Sequence, residues 1–105
     1  SHLPHLLAFT LMNHLQHSTN SPENLLRFAG SGFRDFTRIA SSSPEMWRDI
    51  CLANRDALLE QIAAYQDELN SLRELLKKQD GEALAQAFSQ ARGLREDWLK
   101  NKLGE

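Results

Sequence analysis

The sequence has little of what a disulfide-linked, membrane-spanning or nucleic-acid-binding protein needs. Its 105 residues include one cysteine, Cys51, so no internal disulfide can form. The longest apolar run, Leu6 to Met12, is interrupted by Thr10 and is far shorter than the roughly 20 residues of a membrane-spanning helix. The formal net charge of -2 offers no basic surface to nucleic acid. We therefore expect neither a membrane nor a nucleic acid as a partner.

The composition is that of one soluble globular domain. Hydrophobic residues make up 41% of the chain and charged residues 25%. A length of 105 residues allows a core but leaves no room for a nucleotide-binding domain as well. Cys51 stands between Ile50 and Leu52, where it is expected to be a small buried hydrophobe, which suits a reducing cytoplasm. Ser1 and His2 stand directly ahead of a predicted helix without an initiator Met, so we expect residues 1–105 to be the second half of a longer protein.

Apolar spacing predicts helices throughout, and no strand pattern rises above it. Ser43 followed by Pro44 is typical of a helix start, because serine caps the helix and proline tolerates the first position. Gly30-Ser31-Gly32 is predicted to end a helix that begins near Pro22. The other predicted helices run over about 3–17, 33–40, 44–54, 55–79 and 82–102. The fold class is therefore all-α.

The last two predicted helices are long and form an antiparallel hairpin around a break at Asp80-Gly81. In the first of them, apolar residues alternate at spacings of four and three, which is a heptad seam. The short helices before it are too few to cover this seam, so we expect a homodimer. A monomer in which residues 1–54 cover the hairpin is the alternative. The seam positions are Leu58, Ile62, Tyr65, Leu69, Leu72 and Leu76.

The segment from Gly30 to Ile50 holds two glycines, several charges, a tryptophan and a serine run, which is unusual for a plain helical bundle. Arg38 is the strongest candidate ligand-binding residue, because a guanidinium matches a carboxylate with two parallel hydrogen bonds. Asp35 lies one helical turn earlier and is placed to orient it. An exposed Asp35–Arg38 ion pair without a ligand is the alternative.

Further candidates lie on either side of this segment. His2 and His5 are one turn apart, and an imidazole there can donate to an anion. No cysteine or carboxylate stands beside them at ligand spacing, so no metal site is expected. Ser42, in the loop before Trp47, is placed to donate a hydrogen bond from its hydroxyl to a ligand in the predicted pocket. Trp47, judged by composition alone, is a core residue.

Two stretches, Ser1-His2-Leu3-Pro4-His5 and Gly30 to Ile50, resemble the C-terminal helical domain of the prephenate dehydrogenases (TyrA family). The resemblance implies a helical dimerisation domain with a long antiparallel hairpin, similar to the C-terminal domain of 6-phosphogluconate dehydrogenase. It also implies a role in NAD-dependent oxidative decarboxylation of prephenate to 4-hydroxyphenylpyruvate, in tyrosine biosynthesis. By the same resemblance, NAD and the catalytic histidine are expected on an N-terminal Rossmann domain that is absent from this chain. The isolated chain is therefore expected to be inactive and to bind no cofactor.

The resemblance also implies roles for individual residues. Arg38 binds a carboxylate of prephenate, and Asp35 orders the arginine. The histidines and serine of the opening motif line the substrate pocket, and the tryptophan reaches the pocket of the other subunit of the homodimer. The implied pocket residues are Ser1, His2, His5 and, from the partner, Trp47.

Two other interpretations stay open. One is a different dehydrogenase with a related helical domain, against which Asp35 and Arg38 ahead of Met46-Trp47 argue. The other is a free-standing helical hairpin that binds a partner protein. A Gly-x-Gly-x-x-Gly strand-turn-helix encoded upstream of Ser1 distinguishes the enzyme from the interaction module.

Overall fold

The chain is helical almost throughout the part that the structure describes. The computed structural model describes residues 2–18 and 30–103, which contain no strand. This confirms the all-α fold class. Ser1 and the helix predicted near Pro22 lie outside the described residues. The helices are α1 (Leu3–Ser18), α2 (Ser31–Thr37), a 3-10 helix (Arg38–Ser41), α3 (Pro44–Ala53), α4 (Arg55–Lys78) and α5 (Gly81–Leu103). Within the described ranges, no helix is both long enough and apolar enough to cross a membrane.

The start of α2 differs from the predicted one. The helix predicted from residue 33 begins at Ser31, so Ser31 and Gly32 form its first turn. The N–H of Arg34 donates to the carbonyl of Gly30 at 3.1 Å, which closes that turn. Gly30 has an extended conformation with a negative φ, and the space where a Cβ would lie on Gly30 or Gly32 is open.

The end of α2 explains the 3-10 helix that follows. The hydroxyl of Thr37 donates to the carbonyl of Phe33 at 2.8 Å. Such a bond to the residue four positions back tends to bend a helix. The chain continues from Arg38 as a tighter 3-10 turn, so Arg38 lies at the junction of the two helices.

The start of α3 is as predicted. The hydroxyl of Ser43 accepts from the N–H of Met46 at 3.3 Å, and Pro44 is the first helical residue. The cap satisfies an N–H group that has no partner within the helix.

Asn54 separates α3 from α4. Its N–H donates to the carbonyl of Ile50 at 3.1 Å, which ends α3. Its own carbonyl accepts from the N–H of Leu58 at 3.0 Å, which begins α4. The helix boundary predicted between residues 54 and 55 is confirmed.

Two residues, Gln79 and Asp80, join α4 to α5. Gln79 has a φ of 55°, and its N–H donates to the carbonyl of Leu76 at 3.1 Å, while the N–H of Asp80 donates to that of Leu75 at 3.1 Å. This pair of bonds is a Schellman motif. The carboxylate of Asp80 then accepts from the N–H of Ala83 at 3.1 Å and caps α5. The predicted break between two long helices is confirmed.

The chain divides into two compact units, one ending at Ile62 and the other beginning at Ala63. In the first unit, α1 packs against α2 and against the 3-10 helix. Ala8 of α1 is fully buried and Leu58 is 3% exposed. Within the described ranges these are the two buried hydrophobic residues. Among the described residues, the core of the single chain is therefore small, and large apolar side chains such as Leu52 stay exposed.

The second unit contains most of the predicted seam, and several of its large apolar side chains are exposed. Leu69 is 51% exposed and Leu76 is 59% exposed in α4. In α5, Phe88 is 59% exposed and Leu94 is 74% exposed. The heptad spacing is present, but these residues do not bury one another within the chain. Exposed apolar faces of this extent mark protein–protein contact sites.

Candidate substrate-binding site

Arg38 lies on a cleft between α1 and the segment formed by α2 and the 3-10 helix. The cleft has a volume of about 720 Å³. One wall comes from α1 and carries Phe9 and Asn13, while the opposite wall carries Arg38. The complete set of lining residues is Phe9, Met12, Asn13, Arg34, Thr37, Arg38, Ala40 and Ser41.

A second guanidinium lines the same cleft. Arg34 stands four residues before Arg38, so the two side chains lie on one face across the end of α2. Both arginines are exposed, and neither has an ion pair within residues 30–103. Two guanidinium groups that form no ion pair in the described residues make this cleft cationic.

Asp35 does not hold Arg38 in this structure. The carboxylate is exposed, does not line the cleft and forms no ion pair with Arg38 in the described part of the chain. An exposed pair of this spacing is worth well under about 1 kcal/mol, which is too little to fix two flexible side chains. The role of Asp35 in orienting Arg38 therefore remains a prediction, and the geometry of the single chain gives no support for it.

The two opening histidines lie against Trp47 of the same chain. The His5 and Trp47 rings are stacked, with centroids 4.0 Å apart and planes 18° apart. The His2 ring meets Trp47 edge-on, with centroids 5.7 Å apart and planes at 86°. All three residues are half-buried. The structure thus brings His2, His5 and Trp47 together, and the predicted reach of Trp47 into a partner's pocket stays a prediction.

The histidines differ in their hydrogen bonds. The side-chain nitrogen Nδ2 of Asn54 lies 3.1 Å from Nδ1 of His2. In contrast, Nδ1 of His5 is buried and has no hydrogen-bond partner in the described part of the chain. His2 is therefore held both by a polar contact with Asn54 and by its ring contact with Trp47. The His5 ring is held by its stack on Trp47.

A second, smaller cleft links the tryptophan to the arginine cleft. It lies between α1 and α3, has a volume of about 300 Å³, and is lined by Trp47 and Cys51 among others. Phe9 and Asn13 line both clefts. The structure does not place Arg38 in contact with the histidines, but it arranges the arginines and Trp47 around the same two residues of α1.

Ser42 is only partly available to a ligand. Its hydroxyl donates to the carbonyl of Ile39 at 2.7 Å. A serine hydroxyl has one hydrogen to donate, so the free capacity of Ser42 is as an acceptor. The predicted donor role requires this bond to break. Ser1 lies outside the described residues. Within those residues, no three His, Cys, Asp or Glu side chains form a group that could hold a metal.

Three residues of this region were not singled out from the sequence. The sequence does contain a signal for Arg34, because a spacing of four residues places it on the same helix face as Arg38. Asn54 was recognised only as a helix boundary, because its side-chain contact with His2 spans 52 positions of sequence. Asn13 has no signal in the sequence, because a polar residue on α1 is equally compatible with solvent exposure.

The fold and the two clefts define a class: a helical association domain that combines a doubly cationic cleft with a large uncovered apolar face. Residues 1–90 match the family described as "Prephenate dehydrogenase, dimerization domain". The chain belongs to this family, which confirms the resemblance noted in the sequence.

Individual relatives agree with the family match. The chain is 43% identical over 96 residues to a prephenate dehydrogenase of Bacillus subtilis, covering 91% of this chain and 26% of that protein. It is 35% identical over 96 residues to a cyclohexadienyl dehydrogenase of Zymomonas mobilis, covering 90% of this chain and 33% of that protein. The chain is 31% identical over 96 residues to a prephenate dehydrogenase of Lactococcus lactis, covering 91% of this chain and 27% of that protein. The chain thus spans about a quarter to a third of the length of these relatives.

Proposed function

We propose that this chain is the dimerisation and substrate-binding part of an NAD-dependent prephenate dehydrogenase of tyrosine biosynthesis. The complete enzyme converts prephenate and NAD+ to 4-hydroxyphenylpyruvate, CO2 and NADH. In this proposal, the chain contributes no catalytic residue. It holds the substrate and brings two subunits together.

The observation that carries the proposal is the pair of arginines on one cleft. Prephenate has two carboxylates, one on the ring and one on the pyruvyl side chain. Arg34 and Arg38 supply two guanidinium groups, which form no ion pair within the described ranges, on a cleft large enough for a small molecule. We assign Arg38 to one substrate carboxylate, as the family resemblance implies, and Arg34 to the same anionic ligand.

His2, His5 and Trp47 form the second part of the proposed pocket. A half-buried imidazole that is held by neighbouring rings can present a hydrogen-bond donor in a fixed direction. Fixed donors that point at a substrate oxygen orient the ring of the substrate relative to the reacting group of the other domain. Phe9 and Asn13 line both the cleft that contains Trp47 and the cleft that contains the two arginines, so the two parts of the proposed pocket are adjacent.

NAD belongs to a different part of the enzyme in this proposal. Dinucleotides bind at a strand-turn-helix with a glycine-rich turn. The described residues contain no strand, so they do not fit such a site. NAD+ held on a preceding Rossmann domain would supply the hydride acceptor for the carbinol carbon of the substrate ring, and loss of CO2 would make the ring aromatic. We also propose a cytoplasmic location, which suits a chain whose single cysteine is half-buried.

Homodimerisation is the other half of the proposed function. The exposed apolar residues of α4 and α5 provide the surface, and the family's description as a dimerization domain supports their use. A two-fold pairing of the same face on two chains covers both faces at once.

The test is an assay of the complete polypeptide that carries this chain. We expect prephenate-dependent formation of NADH, and we expect none from the 105-residue chain alone at equal molar concentration. Adding prephenate without NAD+, and NAD+ without prephenate, provides the controls. A complete polypeptide that oxidises no prephenate would contradict the proposal.

A free-standing interaction module is the second candidate, and the exposure of Leu69, Leu76 and Leu94 favours it equally. It does not explain why two arginines line one cleft. Binding of prephenate to the complete polypeptide, and its loss in Arg38→Ala, separates the two candidates.

A further inference from the structure

We infer that Asn54 is a positioning residue that fixes which nitrogen of His2 carries the hydrogen. The inference rests on the proposed function only in giving His2 a substrate to bind. Its structural basis is one contact between residues 52 positions apart, formed where α3 ends and α4 begins.

The chemistry of the two groups sets the direction of the hydrogen bond. The atom of Asn54 that faces His2 is the amide nitrogen Nδ2, 3.1 Å from Nδ1. An amide nitrogen donates and does not accept. Nδ1 of His2 is therefore the acceptor, and the single hydrogen of the neutral ring is on Nε2. That leaves an N–H on the far edge of the ring to donate to an oxygen of an anionic ligand.

The surroundings make this contact specific. The His2 ring also meets Trp47 edge-on at 86°. Trp47 therefore sets the plane of the His2 ring, and Asn54 sets its tautomer. Asn54 is itself held in place, because its N–H ends α3 and its carbonyl begins α4. Since α4 continues into the apolar seam, the residue that orients His2 also starts the helix proposed to form the dimer.

The alternative is that Asn54 acts only as a helix boundary. Its φ of -115° and ψ of 30° are accessible to other residues, so a substitution does not require backbone strain. Asn54→Asp is the decisive change, because it keeps the size and the backbone hydrogen bonds and replaces the donating nitrogen with an accepting oxygen. A boundary role predicts no effect on the imidazole, whereas the positioning role predicts that the hydrogen moves to Nδ1.

The measurement is a long-range ¹H–¹⁵N NMR spectrum of the histidines of this chain at a pH where they are neutral, with His2 assigned from a His2→Gln spectrum. We expect the wild-type His2 to show an Nε2–H ring and Asn54→Asp to show an Nδ1–H ring. Asn101→Asp, which makes the same change at an exposed site on α5, is the matched control and should leave His2 unchanged. A wild-type His2 protonated on Nδ1, or a tautomer unaltered by Asn54→Asp, overturns the inference.

Kinetics on the complete enzyme form the second arm. Asn54→Asp should raise KM for prephenate about tenfold, in line with the loss of one well-oriented hydrogen bond of about 1.4 kcal/mol, and leave KM for NAD+ unchanged. An unchanged KM for prephenate overturns the positioning role. A wild-type complete enzyme that does not oxidise prephenate contradicts the proposed function instead. In that case the NMR experiment alone tests the role of Asn54.

Discussion

His5 and Trp47 stack face to face, with ring centroids 4.0 Å apart and planes 18° apart. The contact joins the first turn of α1 to the first turn of α3. It also covers one face of the indole with a residue of the same chain. Two residues that the family resemblance assigns to substrate binding are therefore also part of the packing of the first unit.

The first prediction concerns the strength of this stack. A double-mutant cycle with His5→Ala, Trp47→Ala and the double variant should give a coupling of about 0.5 to 1.5 kcal/mol in the free energy of unfolding, the usual range for aromatic pairs. Urea unfolding at one fixed chain concentration measures it. His17→Ala with Trp47→Ala is the control, since His17 is exposed on α1. A coupling of zero would show that the stack contributes no stability.

The second prediction tests whether Trp47 also serves the partner's pocket. A mixed dimer of one Arg38→Ala chain and one Trp47→Ala chain then has both lesions in one pocket and neither in the other. We expect co-expressed, differently tagged full-length chains to recover about half the wild-type activity per dimer, because sites built across a two-fold axis complement in this way.

The outcome that contradicts the cross-subunit role is equally clear. If the contacts with His2 and His5 are the whole role of Trp47, each pocket of the mixed dimer carries one lesion. Activity then equals the average of the two mutant homodimers. Both homodimers must be clearly impaired for the comparison to count.

The third prediction concerns the arginine cleft. In the complete enzyme, Arg38→Ala should raise KM for prephenate at least tenfold, because a charge-assisted hydrogen bond is worth roughly 1.5 to 3 kcal/mol. Arg34→Ala should raise the same constant. Arg38→Lys should lie in between, since it keeps the charge but loses the planar fork.

Cofactor affinity provides the specificity check for these variants. KM for NAD+ should stay unchanged in all three, because the cleft holds only the substrate. Arg73→Ala, which removes an exposed arginine of α4 outside the cleft, should behave like wild type. A KM for prephenate that is the same in Arg34→Ala as in Arg73→Ala would remove Arg34 from the site.

The fourth prediction concerns the apolar seam. Light scattering at micromolar concentrations should report about twice the chain mass. Leu69→Asp should shift the protein toward the monomer, because it removes a leucine worth about 1.5 to 3 kcal/mol on each chain and adds two charges to the interface. Ser71→Asp adds the same charge to an exposed position off the seam and should leave the dimer intact. A wild-type chain that is folded and strictly monomeric would contradict the dimer.

The sequence predicted the helices well where the signals are local. Ser43 with Pro44, the turn at Asn54 and the break at Asp80 all act through hydrogen bonds to residues within about one helical turn. The partners of such bonds are neighbours in the sequence, so the positions of these helix ends can be predicted from it. The start of α2 was less readable, because Gly30 caps it without a side chain and glycine is equally compatible with a helix end.

The site depended on the tertiary structure. Residue spacing alone was sufficient to predict the helical class, the seam and Arg38 as an anion-binding candidate. Only the packing of α1 against the later helices decided that Arg34 shares the cleft with Arg38, that His5 stacks on Trp47 and that Asn54 bonds to His2. The physical reason is that sequence spacing determines where a side chain lies around its own helix. Which distant side chain it meets is decided by how whole helix faces pack.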